Sequence, residues 1–225
     1  ILLRDYIPVD IHAAEATYEI QYGNVTRPTH YNTSWDFARF EVCAHKWIDI
    51  SENGYGISVL NNCKYGCDIH NGEIGLTMLK SAVYPNPDAD KEHHSFTWSI
   101  APHEGGWREG NTVAKAYVLN NPYQTAVKEN EGGNLPASYS FVQADKENVV
   151  IEAVKKAEDS DAVIVRLYEC YNRRGQTTLT FPRPVKRAVI CNMLEEEIGE
   201  VLNVNGSQVE LELKPYEIET VKVEF

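Results

Sequence analysis

The sequence predicts an all-β protein with one short helix. Three observations carry that expectation. Short runs rich in β-branched and aromatic residues recur along the chain, separated by turn-forming clusters. Several of these runs alternate apolar and polar side chains with the period of two that a half-buried strand requires. Two of the three Asn-Gly pairs, Asn71-Gly72 and Asn205-Gly206, mark tight hairpins, because both residue types tolerate the left-handed backbone such turns need.

Ala16 to Gln21 reads as a strand through Thr17, Tyr18 and Ile20. Ala38 to Ala44 alternates, with Phe40 and Val42 on one face and Arg39, Glu41 and Cys43 on the other. Lys46 to Ile50 continues with Trp47 and Ile48, and the Ser51-Glu52-Asn53-Gly54 turn leads into a strand over Tyr55 to Leu60. Cys67 to His70 and Glu73 to Leu79 flank the Asn71-Gly72 pair as a hairpin. Ser81 to His94 holds Pro85, Pro87, Asp88, Asp90, Glu92 and two histidines, which predicts a long polar loop of the kind that often carries function. Ser95 to Ala101 is an aromatic-rich strand. Breakers fill Pro102 to Gly110, and Thr112 to Leu119 follows as the helix, with Asn111 as its N-cap and Asn121-Pro122 as its stop.

Glu129 to Pro136 reads as loop. Further strands are expected over Tyr139 to Gln143, Asn148 to Lys155, Ala162 to Cys170, Gln176 to Phe181, Arg187 to Cys191, Gln208 to Leu213 and Glu217 to Val223. Val149 to Ala157 has a helix-compatible composition, but the β-branched Val149-Val150-Ile151 favours a strand. Short strands at regular spacing indicate sandwiches. A boundary within 143 to 147 divides the chain into a larger β domain, residues 1–144, and a smaller one, residues 145–225.

The 225 residues carry 21 Lys plus Arg and 33 Asp plus Glu, a net charge of −12. That argues against nucleic acid as a partner, which needs a basic surface to displace counterions. It argues equally against docking on an anionic membrane, and no apolar run approaches the ~20 residues of a spanning helix. The first residue is Ile1 rather than Met, which points to an excised piece of something longer. Five cysteines cannot all pair within one chain. Cys63, Cys67 and His70 have the spacing of half a metal site, but the second pair of ligands that structural zinc wants is missing, so reduced thiols in strands are the expectation. Reduced thiols favour the cytoplasm. Three Asn-x-Ser/Thr sequons, at Asn24, Asn32 and Asn205, would matter only in a secretory compartment.

No phosphate-cradling glycine loop, Gly-x-Ser-x-Gly elbow or His-Glu-x-x-His motif occurs. Thirteen Tyr and four Trp suit stacking on sugar rings, although such residues in β proteins mostly fill half-buried strand faces. Asp88, Asp90 and Glu92 share a loop and offer paired carboxylates for glycosidic chemistry, against the plainer reading that they are solvated. Glu92-His93-His94 offers an acid and a base for opening a sugar ring, as a mutarotase does.

Several stretches taken in order resemble one family. They are Tyr18-Glu19-Ile20-Gln21-Tyr22-Gly23-Asn24-Val25, Arg27-Pro28-Thr29-His30-Tyr31-Asn32-Thr33-Ser34-Trp35-Asp36 and Phe40-Glu41-Val42-Cys43-Ala44-His45-Lys46-Trp47. Gly54 to Gly66, Tyr84 to Asp90, Glu92 to Phe96 and Lys214 to Thr220 continue the match. Together they resemble the C-terminal region of glycoside hydrolase family 38 α-mannosidases of the bacterial and cytosolic type.

The resemblance implies a mutarotase-like β supersandwich, partial here, followed by a small C-terminal β-sandwich. It implies a non-catalytic region of a retaining enzyme that cleaves terminal α-linked mannose. The zinc and the catalytic carboxylates belong to an N-terminal domain, and this chain is expected to hold no catalytic residue, no metal and no cofactor of its own. Its expected partners are that catalytic domain and a mannose-containing oligosaccharide, with a homo-oligomer as the full-length form. Loops at one end of the sandwich are expected to rim the sugar pocket: Arg27 to Asp36, Asn61 to Tyr65 and Ser81 to His94. Candidate substrate contacts are Arg27, His30, Asn32, Tyr84, Asp88, Glu92 and His93. Structural roles compete with these: Trp35 as core, and Arg27 with Asp36 as a loop-fixing ion pair. A free-standing mutarotase and a carbohydrate-binding module are the alternatives.

Overall fold

The computed structural model describes residues 1–127, 132–134 and 136–225. Half of the loop expected over Glu129 to Pro136 falls outside the described residues. The chain forms two compact units, residues 1–126 and 127–225. The boundary expected at 144/145 thus lies downstream of the observed division, and the short strand Gln143–Ala144 pairs within the second unit.

The first unit contains β1 (Leu2–Pro8), β2 (Glu15–Ile20), β3 (Gly23–Pro28), α1 (Ser34–Phe37), β4 (Val42–Cys43), β5 (Trp47–Glu52), β6 (Tyr55–Asn61), β7 (Gly66–His70), β8 (Glu73–Lys80), β9 (Trp98–Glu104) and α2 (Thr112–Asn120). One antiparallel sheet runs β1-β8-β7-β4 and the other β3-β2-β5-β6-β9. Alternation puts Tyr18, Ile48, Ile50 and Val59 of one sheet against Cys67, Ile69, Ile74, Leu76 and Met78 of the other. β5 is buried over Trp47–Ile50, on both of its faces, because α2 packs on β5 and β6 from the side away from that core. The Trp47 and Trp107 rings meet there, centroids 5.0 Å apart.

Four local expectations change. Ala38 to Ala44 is a strand only at Val42–Cys43. A one-turn helix precedes it, started by a capping box: the Asp36 backbone N–H donates to Thr33 Oγ1, and the Thr33 N–H donates back to Asp36 Oδ2 at 3.0 Å. β9 runs through Pro102, which pairs with Ile57. It can do so because β9 is an edge strand, where a missing N–H costs no ladder bond. Asn111 precedes α2 as expected but is left-handed (φ 53°) and makes no side-chain cap bond. β1 was not expected at all: a bulge between Leu3 and Arg4 interrupts its period of two.

The second unit contains β10 (Gln143–Ala144), β11 (Val149–Lys156), β12 (Val163–Glu169), β13 (Gly175–Thr180), β14 (Arg187–Cys191), β15 (Glu197–Val201), β16 (Asn203–Asn205), β17 (Gln208–Leu213) and β18 (Ile218–Glu224). The sheets run β10-β13-β17-β16 and β11-β12-β18-β14-β15, all antiparallel. β17 shows the logic: Val209, Leu211 and Leu213 are buried while Gln208, Glu210 and Glu212 are exposed. Each such buried aliphatic contributes about 1.5–3 kcal/mol of transfer free energy. Val165, Leu167, Leu179, Val221 and Val223 complete this core. Among the described residues, no helix is long and apolar enough to cross a membrane.

Candidate functional site

A cavity of about 790 Å³ in the first unit is built by three connections. They are the β1–β2 loop (Val9 to Ala13), the segment after β3 (Thr29 to Asn32) and the Asn71-Gly72 turn. Hydrogen bonds fasten them together. The Val9 N–H donates to the Gly72 carbonyl at 2.8 Å, and Thr29 Oγ1 donates to the Ala13 carbonyl at 2.6 Å. Asn71 and Gly72 both have positive φ (53° and 74°), the turn geometry that the Asn-Gly pair predicts. Ile11, Ile50 and Ile69 form an apolar floor, and Asp10, His12, His30, Asn32 and Asn71 make a polar rim. Apolar surface ringed by carboxylate, imidazole and amide groups suits a polyhydroxylated ligand.

Two of the expected contact residues, His30 and Asn32, line this cavity. His30 Nδ1 is 3.8 Å from Asp36 Oδ2 and has no hydrogen-bond partner. The hydrogen bond from Thr33 Oγ1 holds the Asp36 carboxyl below its ordinary range, so the charge facing His30 persists into mild acid. Tyr31 stacks on His70 with centroids 4.1 Å apart. Arg27 does not pair with Asp36. Its guanidinium lies over the Tyr18 ring at 4.6 Å, with Nη1 buried and unpartnered. Trp35 is not core but 76% exposed.

The other expected contacts are elsewhere. β7 and β8 form a hairpin, so the Asn71-Gly72 turn is at one end, and the Asn61 to Tyr65 turn and the Ser81 to His94 loop are at the other. β8 has eight residues and separates these ends by about 27 Å. Tyr84 (86% exposed), Asp88, Glu92 and His93 all project from that distal loop. Asp88 pairs with Lys91 at 3.1 Å, and His94 Nε2 meets the Asp90 carbonyl at 3.0 Å. Nothing orients His93 against Glu92 as an acid–base pair.

The Cys63-Cys67-His70 spacing makes no metal site. Cys67 and His70 are an odd number of residues apart on β7 and so point to opposite faces. Cys67 Sγ donates to the Val42 carbonyl at 3.6 Å, and burial pushes its thiol pKa to about 12. Among the described residues, no three His, Cys, Asp or Glu side chains gather around a cation position. Among the described residues, no cysteine is joined in a disulfide.

Asp10, His12, Tyr31 and Asn71 are cavity residues that sequence reasoning did not single out. The hairpin signal could have found Asn71, because an antiparallel pair fixes which connections share an end.

Two family models match along the chain: "Glycosyl hydrolases family 38 C-terminal domain" over residues 1–88 and "Glycosyl hydrolases family 38 C-terminal beta sandwich domain" over residues 148–221. The chain belongs to glycosyl hydrolase family 38, as its C-terminal region. The first family 38 match ends within the Ser81 to His94 loop, and the second covers β11 to β17 and part of β18.

Relatives agree. "Alpha-mannosidase G" of Dictyostelium discoideum is 39% identical over 98% of this chain and 21% of its own length. Human "Alpha-mannosidase 2C1" is 36% identical over 96% of this chain and 21% of its own length. The crystal structure of an alpha-mannosidase from Enterococcus faecalis V583 has the same fold (TM-score 0.81, 19% identity), covering 98% of this chain and 25% of that one. The chain therefore spans about a fifth of the length of the curated relatives it matches.

Proposed function

We propose that this chain is the non-catalytic C-terminal region of a retaining α-mannosidase, where it scaffolds a catalytic domain and rims its sugar pocket. One observation carries the reading. Relatives named as α-mannosidases align along 96% or more of this chain, which amounts to about a fifth of each of them. The substrate in this reading is a terminal α-linked mannose, and the zinc and reacting carboxylates belong to the catalytic domain. Of the seven candidate contacts, His30 and Asn32 are the two supported by geometry, because they share one cavity with Asp10 and Asn71. The exposed free thiols Cys43 and Cys63 support a reducing, cytoplasmic setting.

The test is hydrolysis of an aryl α-mannoside. The 225-residue chain alone gives no zinc-dependent turnover, and joining it to an upstream zinc-containing domain restores activity. Zinc-dependent hydrolysis by this chain alone would overturn the proposal.

A further inference from the structure

Outside the cavity, three ionisable side chains form a line at the edge of the first unit. Cys43 is exposed at the end of β4, opposite Gly66. Its Sγ is 3.9 Å from His45 Nε2, and His45 Nδ1 is 3.8 Å from Glu19 Oε2. Cys43 is exposed and His45 is half-buried, while Ala44 between them is buried.

The protonation of the imidazole follows from its neighbours. The Gln21 amide nitrogen, which can only donate, lies 3.3 Å from His45 Nε2. Nε2 is therefore the acceptor, and the proton is on Nδ1, facing the Glu19 carboxylate. Glu19 is a fixed anchor. It is 5% exposed, and its oxygens accept from the Lys46 backbone N–H at 2.8 Å and the Lys46 ammonium at 3.2 Å. The Tyr65 ring meets His45 edge-on at 5.0 Å and limits its rotation. The result is a nucleophile, a base whose acceptor nitrogen Nε2 is within reach of both the thiol and the exposed Gln21 amide, which swings aside as the thiol proton arrives, and a carboxylate behind the base.

We propose that Cys43 is a modification site for low-molecular-weight disulfides, with His45 as its base. The thiol proton passes to His45 Nε2 as Sγ attacks one sulfur of the disulfide. A new S–S bond to Cys43 forms, the original S–S bond breaks, and the departing thiolate takes the proton from the imidazole. The products are a mixed disulfide and one small thiol, so electrons balance without a further oxidant. The adduct persists because Cys67, next to β4 in the ladder, points into the core and is held protonated by burial.

Cys63, also exposed, is the reference thiol in the same molecule. The experiment treats the 225-residue chain with a neutral dipyridyl disulfide and assigns the adducts by peptide mass. Cys63→Ser and Cys43→Ser variants isolate each thiol. Cys43 reacts about 100-fold faster than Cys63, the low end of what a positioned base supplies. His45→Gln removes that excess and leaves the Cys63 rate unchanged. Equal rates for the two thiols, or an undiminished Cys43 rate in a folded His45→Gln chain, would overturn the proposal. Should His45→Gln fail to fold, the wild-type pH profile decides. Between about pH 8 and about pH 6 the Cys43 rate falls less steeply than the Cys63 rate where imidazole takes the proton, and equal slopes refute the assignment.

Discussion

His103 Nε2 lies 2.7 Å from Asp49 Oδ2, and both side chains are at most 3% exposed. Asp49 also accepts from Ser51 Oγ at 2.5 Å and Ser58 Oγ at 2.7 Å. Ser58 Oγ then meets Thr112 Oγ1 at 2.6 Å, so the network ties β5, β6 and β9 to the first turn of α2. The residue types match those of a serine hydrolase. Yet Ser58 is fully buried and its hydroxyl is bound to the carboxylate itself, so the group is structural. Asp49→Ala strands three donors and costs about 3–5 kcal/mol, the usual consequence of removing one side of a buried pair. All four tryptophans belong to the first unit, so urea unfolding followed by Trp fluorescence reads this loss. A change under about 1 kcal/mol, the worth of one ordinary hydrogen bond, would show that the network is dispensable.

Two glycines make room for that imidazole. A Cβ on Gly110 would come within 2.5 Å of His103 Cγ, and one on Gly56 within 2.4 Å of His103 Cε1. Gly110→Ala therefore destabilises the first unit by about 1–3 kcal/mol through overpacking. Combined with His103→Ala, the same substitution costs less than it does alone, since the ring atoms at 2.5 and 2.8 Å are gone and only His103 Cβ, at 2.9 Å, remains. A double-mutant cycle by urea unfolding measures the coupling. Strict additivity would place the glycine requirement elsewhere.

Much of this fold is legible in the sequence where one face of a strand is buried and the other wet. β14 and β17 match their expected bounds, and β11 is a strand as its β-branched residues indicate. α1 is not legible from alternation, because the Thr33–Asp36 box overrides it locally. The Asp49–His103 network is not legible either. Its members come from distant strands, and no local pattern reports that Gly56 and Gly110 enclose one ring. The candidate site is half legible. The sequence marks the loop after β3, but it also points to the distal loop as a neighbour, although the hairpin between them sets the two apart.

That separation gives a functional prediction that rests on the α-mannosidase reading. In the chain joined to a catalytic domain, His30→Ala and Asn32→Ala each raise KM about fivefold with kcat little changed, the worth of one lost hydrogen bond to substrate. Tyr84→Ala and Glu92→Ala, about 27 Å away along β8, leave KM unchanged. Steady-state kinetics on the four variants checks this. The reverse pattern would move the sugar pocket to the distal end.

Glu169 anchors the second unit in a similar way. It is fully buried, and its Oε1 accepts from Asn148 Nδ2 at 2.9 Å and the Tyr171 N–H at 2.7 Å. Its Oε2 accepts the Tyr216 N–H at 3.1 Å. Glu169→Gln sets an amide NH₂ against one of these donors and costs about 1–3 kcal/mol, and Glu169→Ala costs at least as much. Amide exchange along β12 reports the loss. Unchanged protection in both variants would contradict the anchoring role.

The second unit is also the more acid-sensitive by its ion pairs. Lys155 binds Glu195 at 2.7 Å, Arg187 grips both oxygens of Glu197 at 2.6 Å, and Lys222 meets Asp159 at 3.1 Å. These hydrogen bonds hold the Glu195, Glu197 and Asp159 carboxyls below their ordinary ranges. A depressed carboxyl binds its proton less tightly folded than unfolded. The stability it adds is present above the unfolded value of about 4 and is lost as pH falls through the lower folded value. Glu219 runs the other way. Burial raises its pKa, so its contribution favours folding in acid and is lost as pH rises through the folded value. Asp145 and Asp161 are depressed too, so with five groups against one, amide protection along β14 and β18 declines as pH drops from about 5 toward 3. Glu197→Gln makes the decline shallower. Because each pair keeps at least one partner exposed to solvent, about 0.5 M salt flattens it as well. A steeper decline in Glu197→Gln than in the parent chain would show that the Arg187 clamp is not its source.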